Sequence, residues 1–162
     1  MGTNLRRYID DHLAGAAFAL DLLQALAVKH AGDAIASAIG RLREEIDADR
    51  DELKRAVVAL GKTPSGMKQK IARLFERLGR PKLIKTRADR FSTFQALEVI
   101  ALGILGKKAL WDALSVSENP VVRKLDLERL RHRAEEQHAV AEKIRPDLAA
   151  ITLSDGAAVG GG

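Results

Sequence analysis

The feature that most constrains this chain is a single carboxylate inside an apolar helix seam. Between residues 33 and 60, apolar side chains recur at alternating intervals of four and three, which keeps one helix face turned to one packing surface. The members of this seam are Ile35, Ile39, Leu42, Ile46, Leu53, Ala56 and Leu60. Asp49 stands where another apolar residue is due. Because a buried carboxylate is costly unless it is paired, protonated or bound to a cation, the sequence predicts a polar element inside the core.

Composition limits the class of protein. The chain has 162 residues, 46% of them hydrophobic and 30% charged, which is typical of one soluble globular domain. It has no cysteine, which excludes disulfides, thiol catalysis and thiolate metal sites, so we expect a cytoplasmic protein. Asp10, Asp11, His12 and Asp21 interrupt the N-terminal apolar run, so no signal peptide is predicted. No uncharged apolar run reaches about 18 residues, so we expect no transmembrane segment.

Three further helices show the same seam spacing. The first is predicted from residue 3 or 4 to residue 29, and a short turn with Asp33 as a helix cap joins it to the second as a hairpin. The third is predicted from about 86 to 115, and the fourth follows a turn at 117–120, with Pro146 kinking or ending it. We therefore expect an all-α four-helix bundle over residues 1–151, followed by a flexible Gly/Ala-rich tail at 152–162.

Each of the four seams contains one polar residue. These residues are His12, Asp49, Glu98 and Gln137. Within each hairpin the two lie at similar distances from the turn, so we expect all four to be largely buried and the first two to contact each other or share a partner. If the long middle connection links neighbouring ends of the bundle, the four depths nearly coincide. If it crosses the bundle lengthwise, the two pairs are offset by about two helical turns.

The third helix has two candidate apolar faces. The seam that contains the polar residue is Phe91, Phe94, Glu98, Ala101 and Leu105. The second face is Leu97, Ile100, Ile104 and Trp111. This second face exceeds what one bundle seam needs, so it predicts a homodimer or larger assembly. The alternative is that apolar residues of the middle connection cover it within one chain.

The middle connection, residues 61–90, holds ten of the 27 Lys and Arg residues and only two acidic ones. Residues 67–79 are predicted to form a short amphipathic helix within it. A solvated surface and a weak contact with an anionic membrane surface both fit this charge. Its one aromatic residue is Phe75 and it has no recognisable binding motif, so specific nucleic-acid binding is not expected.

Two hairpins, a long middle connection and the inward-facing residues His12, Asp49, Glu98 and Gln137 resemble the ferritin-like bundles over about residues 4–150. Leu60-Gly-Lys-Thr-Pro64 is similar to the small bacterial ferritin-like stress proteins. Di-iron members place Glu on two helices and Glu-x-x-His on the other two. Glu98 matches that pattern, but His12 replaces a Glu and Glu45 is followed by Ala48 rather than His. In Glu135-Glu-Gln-His138, Glu135 points away from the seam and His138 lies at its flank.

The polar residues allow two interpretations. One is a hydrogen-bonded network that fixes helix register, in which Arg50 and Arg133 at the seam edges neutralise Asp49 and Glu98. This interpretation predicts a non-enzymatic structural or interaction protein. The other is a site for Fe, Mn or Zn formed by His12, Asp49 and Glu98, helped by Glu45, which predicts a metal-binding oxidoreductase or a metal-storage relative. No phosphate loop, nucleophile elbow or catalytic triad pattern occurs, and whether the protein is an enzyme stays open.

Overall fold

The computed structural model describes residues 3–61, Glu76 and residues 90–154. Within these residues the chain forms four long helices and no strand. They are α1 (Thr3–Lys29), α2 (Ala36–Ala59), α3 (Arg90–Ser115) and α4 (Leu127–Ser154), with a short 3-10 helix at Val122–Lys124 before α4. The all-α prediction is confirmed. Apart from Glu76, the predicted short helix at 67–79 lies outside the described residues, and so does the predicted start of the third helix at 86–89.

Side-chain contacts fix the directions of the helices. At the C-terminal end of α1, Lys29 Nζ donates to Ser92 Oγ at 2.8 Å, and His30 Nε2 lies 2.9 Å from Thr93 Oγ1, so α3 begins where α1 ends. Since the turn at 30–35 also places the start of α2 there, α2 and α3 run in the same direction. Consequently α2 ends at the opposite end of the bundle from the start of α3. This agrees with the second of the two arrangements considered above, in which the chain crosses the bundle lengthwise between the second and third helices.

Each helix packs mainly against two others. The packed pairs are α1 with α2, α1 with α3, α3 with α4 and, more sparsely, α2 with α4. The remaining pairs, α1 with α4 and α2 with α3, are therefore diagonal. The turns match the backbone that they need: Gly32 and Gly61 have φ of +90° and +88°, which a residue with a side chain rarely adopts. Gly61 therefore ends α2 in the way that the sequence predicts.

The apolar seams of α2 and α4 lie in the core. In α2 the buried residues are Ile39, Leu42, Ile46, Asp49, Leu53, Ala56 and Val57. In α4 they are Leu130, Ala134, Gln137, Ala141 and Ile144. Both lists keep the alternating spacing of the predicted seams. Full burial of a Leu or Ile stabilises the fold by about 1.5–3 kcal/mol, so these seams account for much of the bundle's stability.

In α3 the core face is the one that the sequence analysis assigned to a dimer contact. This face is buried within the single chain at Leu97, Ile100, Ile104 and Trp111. The prediction that it forms a dimer contact is therefore wrong. The other predicted seam faces outward for much of its length: Phe91 is 42% exposed and Leu105 44%. Oligomeric state stays a prediction.

Two helix ends differ from expectation. Asp33 does not cap α2, because the residue preceding that helix is Ile35 and the Asp33 carboxylate lies 2.7 Å from His30 Nδ1 instead. Pro146 lies inside α4, which continues to Ser154, three residues into the predicted tail. By contrast, α4 begins with a side-chain cap, since the Arg129 amide donates to Asp126 Oδ1 at 3.1 Å.

Helix α1 is long and apolar enough over Asn4–Lys29 to cross a membrane, judged by length and composition alone. Core helices of soluble proteins and N-terminal signal sequences meet the same criterion. In this structure the helix contributes Ile9, Leu13, Leu22 and Leu23 to the core, each at most 2% exposed. The expectation that no segment spans a membrane stays a prediction.

Candidate functional site

Asp49 is the centre of a buried ionic network that joins three helices. Its side chain is 1% exposed, and Lys107 Nζ from α3 lies 2.5 Å from Oδ2. From α4, Gln137 Nε2 donates to the same oxygen at 3.2 Å, and Arg133 Nη2 donates to Oδ1. Lys107 also donates to Gln137 Oε1. The carboxylate is therefore paired and hydrogen-bonded on both oxygens, which is the condition for tolerating a charge in a helix core.

The network continues toward the surface between α2 and α4. Glu52, one turn after Asp49, accepts from Arg129 Nη2 at 2.8 Å and lies 3.5 Å from Arg133 Nη2. Acidic residues of α2 thus alternate with basic residues of α4 along an antiparallel pair. Since α2 and α4 approach each other closely at few positions, these ion pairs form much of the contact between the two helices.

Burial changes the acid–base behaviour of the central lysine. It lowers the pKa of the Lys107 ammonium from the ordinary value of 10.5, against the opposing attraction of Asp49 and in the same direction as Arg133. The neutral amine is favoured because an ammonium loses hydration when it leaves water. The close Asp49 carboxylate compensates for part of that loss, and this is why a lysine is tolerated at a position where only 13% of its side chain is exposed.

Beside the network, a cavity of about 360 Å³ opens between α1, α2 and α3. Its walls are mostly apolar or small residues. They are Gly15, Ala16, Phe18, Ala19, Ile46, Leu53, Val99, Ile100, Leu102, Gly103, Ile104 and Leu110. Four polar side chains complete the lining: His12, Asp49, Arg50 and Lys107. Leu102 is 62% exposed, so the cavity reaches the surface at α3.

His12 lies on the α1 wall of this cavity and is half-buried. Desolvation lowers the pKa of its imidazole below the ordinary 6.5, and only the nearby Asp11 opposes this. The Tyr8 ring meets it edge to face, with ring centroids 4.8 Å apart. His12 and Asp49 line one cavity, but the polar partners of Asp49 are Lys107, Arg133 and Gln137.

The predicted burial of Glu98 is wrong, because its side chain is exposed. The residue of α3 that meets Asp49 is Lys107, nine positions further along. Nine residues correspond to about two and a half turns, which places Glu98 on the opposite side of α3 and about 13 Å away along its axis. The lengthwise arrangement of the bundle produces this axial offset.

Consequently the structure does not bring the candidate metal ligands together. His12, Asp49 and Glu98 do not converge, and in residues 3–61 and 90–154 no group of three His, Asp or Glu side chains is placed to hold a metal ion. Glu45 is half-buried near Lys107 and acts on it only through its charge. The cation that neutralises Asp49 is the Lys107 ammonium together with the Arg133 guanidinium.

The remaining flanking residues have separate roles. Arg50 does not reach Asp49, and its Nη2 pairs with Asp47 at 2.5 Å. Arg133 does pair with Asp49, on the edge of the α4 seam. His138 is half-buried and Glu135 exposed, and the latter lies 3.7 Å from Lys108 Nζ. The Glu135-x-x-His138 pair is thus no part of the central network.

Sequence reasoning missed Lys107, although a signal for it exists. The true seam of α3 runs Leu97, Ile100, Ile104, Lys107, Trp111 and Leu114, with spacings of three and four. Lys107 is the single polar interruption of that seam. The buried seam of α3 is therefore interrupted by a cation where the sequence predicts a carboxylate, and Ser92 and Thr93 are further buried polar residues near the start of the helix.

The chain matches no protein-family model, and no curated protein or solved structure is significantly similar to it. The site must therefore be interpreted from its own chemistry. It combines a saturated ion cluster with an open, mostly apolar cavity, and such an arrangement can hold a small molecule without having to transform it.

Proposed function

We propose that this protein is a non-enzymatic helical bundle that binds a small, largely apolar molecule in the cavity between α1, α2 and α3. The observation that carries the proposal is the cavity itself. Its volume of about 360 Å³ falls within the range of ligand sites, which is about 300–1,000 Å³. Apolar walls with a few polar groups on one part of the lining are the usual composition of such sites.

Small residues keep this space open. Gly15, Ala16 and Ala19 of α1 face Gly103 of α3 across the cavity. A Cβ added at Gly15 or Gly103 would meet no atom within 4 Å. An unfilled apolar volume forfeits packing contacts, and a glycine in a helix interior costs about 0.5–1 kcal/mol relative to alanine. A ligand that fills the space would offset these losses.

The polar cluster supports a binding role rather than a catalytic one. Both oxygens of Asp49 already accept hydrogen bonds, and the Gln137 amide is used through its oxygen and its nitrogen. A general base needs a free acceptor within reach of its substrate. The cluster fixes the relative positions of α2, α3 and α4, and so preserves the shape of the cavity.

A ferritin-like relationship, a cytoplasmic location and a homodimer are further parts of the proposal. The end of α2 and the start of α3 lie at opposite ends of the bundle. This supports the ferritin-like relationship, because ferritin-like folds have one long crossover connection. For the homodimer the supporting surface is now an exposed stripe on α3, formed by Phe91, Leu102 and Leu105. These three side chains lie within about 60° on the helical wheel.

The test is binding of ten-carbon amphiphiles to the full chain, with 1-decanol, decanoate and decylammonium as probes. Ligand binding raises the melting temperature by mass action. Gly103→Leu fills the cavity from α3 and Ala16→Leu fills it from α1, so both should abolish the shift. Gly106→Leu is the matched control, since it has the same open space on the same helix but does not line the cavity. If none of the three probes shifts the wild type, or if the filled variants respond equally, the proposal fails.

A further inference from the structure

The cavity's polar groups define the head group of its ligand. Resting on the proposed function above, we infer that the ligand is an aliphatic carboxylate of medium chain length, with its carboxylate held by Lys107 and Arg50. Three properties of the cavity support this ligand: the hydrogen-bond donors left free in its lining, the charges around them, and the space available to an aliphatic chain.

The unused hydrogen-bonding capacity of the charged lining consists of donors. An ammonium has three N–H groups, and Lys107 uses two, one to Asp49 and one to Gln137. Arg50 pairs with Asp47 through Nη2, and its buried Nε makes no hydrogen bond, since the nearest carboxylate oxygen, Asp51 Oδ1, lies 3.7 Å away. A buried donor left without an acceptor costs about 1–3 kcal/mol, so a ligand that supplies an oxygen gains that stabilisation.

Each acceptor of the same cluster already accepts at least one hydrogen bond. Asp49 Oδ1 accepts from Arg133, and Oδ2 accepts from Lys107 and Gln137. Gln137 Oε1 accepts from Lys107. An ammonium or hydroxyl donor on a ligand would therefore have to share these oxygens with the existing donors. A carboxylate brings two oxygens and no donor, which complements what remains.

The charges that line the cavity favour an anion. Lys107 and Arg50 are cations, Asp49 is the one carboxylate that lines the described cavity, and His12 supplies an imidazole from the α1 wall. Two further carboxylates, Asp47 and Asp51, are about half exposed and pair with Arg50 at 2.5 Å and 3.7 Å. They orient the guanidinium but do not line the cavity. Within the cavity an added carboxylate thus meets two cations and one anion.

The apolar part of the cavity sets the size of the chain. A closed apolar cavity of about 150 Å³ accommodates benzene. The volume here, about 360 Å³, is more than twice as large and is lined along its length by apolar or small side chains from three helices. It can take an unbranched aliphatic chain, whose end leaves the cavity where Leu102 is exposed.

The test compares head groups on one chain length by isothermal titration calorimetry of the full chain with decanoate, 1-decanol and decylammonium. We expect decanoate to bind at least about tenfold more tightly than 1-decanol, because a hydrogen bond to a charged group is stronger than a neutral one. Arg50→Gln should reduce that preference to about threefold or less. Arg43→Gln, one heptad earlier on α2 and outside the cavity lining, is the matched control and should leave it unchanged.

Two of the possible outcomes reject this inference and keep the proposed function, and two reject both. If 1-decanol and decanoate bind equally and Gly103→Leu abolishes both, the cavity binds apolar molecules but the anionic head group is wrong. If decylammonium binds most tightly, the inference also fails while the binding role stands. If decanoate binds Gly103→Leu as well as it binds the wild type, the contact is a surface ionic one and both are overturned. Both are also overturned if no probe binds.

Discussion

Lys107 and Asp49 form a buried ion pair across the diagonal of the bundle, with 2.5 Å between Nζ and Oδ2. Helices α3 and α2 otherwise make few contacts, because α1 and α4 lie between them. A lysine can make this contact because its long aliphatic stem packs among apolar residues while the ammonium reaches the opposite helix. The pair therefore fixes the position of α2 relative to α3, which apolar packing between these two helices does not fix.

Removing the central carboxylate should destabilise the fold strongly. Asp49→Ala leaves the Lys107 and Arg133 cations without their buried partner, so we expect a loss of about 3–5 kcal/mol in the free energy of unfolding. Asp49→Asn keeps hydrogen-bond acceptance and should cost less. Urea denaturation measures both. Asp51→Ala, on the solvent side of the same helix, is the control and should have little effect; if Asp49→Ala proved equally mild, the network would not be structural.

The Lys107 amine should make stability depend on pH in the alkaline range. Because its pKa in the folded chain lies below the ordinary 10.5, the unfolded chain binds more protons between these two values. The contribution of Lys107 to the free energy of unfolding therefore rises with pH across that window. Lys107→Met should abolish this rise relative to the wild type. Denaturation of the two proteins from pH 7 to 10.5 measures it, and parallel curves would contradict the prediction.

His12 should make stability depend on pH in the acidic range. Burial lowers the pKa of its imidazole, so the unfolded chain takes up a proton near pH 6.5 while the folded chain does so only at lower pH. Its contribution to stability is present above 6.5 and declines as the pH falls toward the folded pKa. NMR titration of the His12 ring should give a pKa below 6.5. His12→Gln should flatten the corresponding decline in stability, and an unshifted ring would reject the buried environment.

Replacing glycine by alanine should raise stability in helix interiors and lower it at the end of α2. Gly40 and Gly106 have open space where a Cβ would lie, so each change to Ala should raise stability by about 0.5–1 kcal/mol. Gly61 has a φ of +88°, and Gly61→Ala should instead lower stability by about 1 kcal/mol. Thermal denaturation distinguishes the two signs. A loss at Gly40 or Gly106 would mean that the space at those positions is not free.

The exposed stripe of α3 should set the oligomeric state. If Phe91, Leu102 and Leu105 form the contact of a homodimer, light scattering at micromolar concentration will give twice the chain's mass of 17.6 kDa. Leu105→Lys should then yield a monomer without changing helix content. Val58→Lys, at a residue of α2 that is 67% exposed and outside the stripe, is the control and should leave the dimer intact. A monomeric wild type rejects the dimer.

The sequence predicts some helices better than others for a physical reason. In α2 and α4 the exposed faces are strongly charged, so the apolar spacing points to one face and the inward positions of Asp49 and Gln137 follow from it. In α3 apolar residues occur on more than one face, so periodicity alone cannot select the buried one. For that reason the sequence pattern predicts Glu98 in the core and does not identify Lys107. The choice depended on tertiary contact with α2, which no local pattern records.

The α1 seam shows a different limit. Ile9 and Leu23 are buried with 0% exposure, but Ala16 and Ala19, which follow the same spacing of three and four, line the cavity instead of a packed core. Spacing predicts which way a side chain faces. It does not predict whether the facing volume is filled, because that depends on the sizes of residues on two other helices.

Because α2 and α4 are joined by ion pairs, the two hairpins of this bundle meet through two contacts of different character. The hairpin of α1 and α2 meets the hairpin of α3 and α4 along the α1–α3 contact, which is made by packing, and along the α2–α4 contact, where Asp49 and Glu52 face Arg133 and Arg129. Loss of these ion pairs removes the attraction along the α2–α4 contact and leaves the packing along the α1–α3 contact intact. The two hairpins would then separate at the α2–α4 contact while α1 and α3 remain packed against each other. Amide exchange in α2 would accelerate before that in α3, and the chain would lose its native state in two steps.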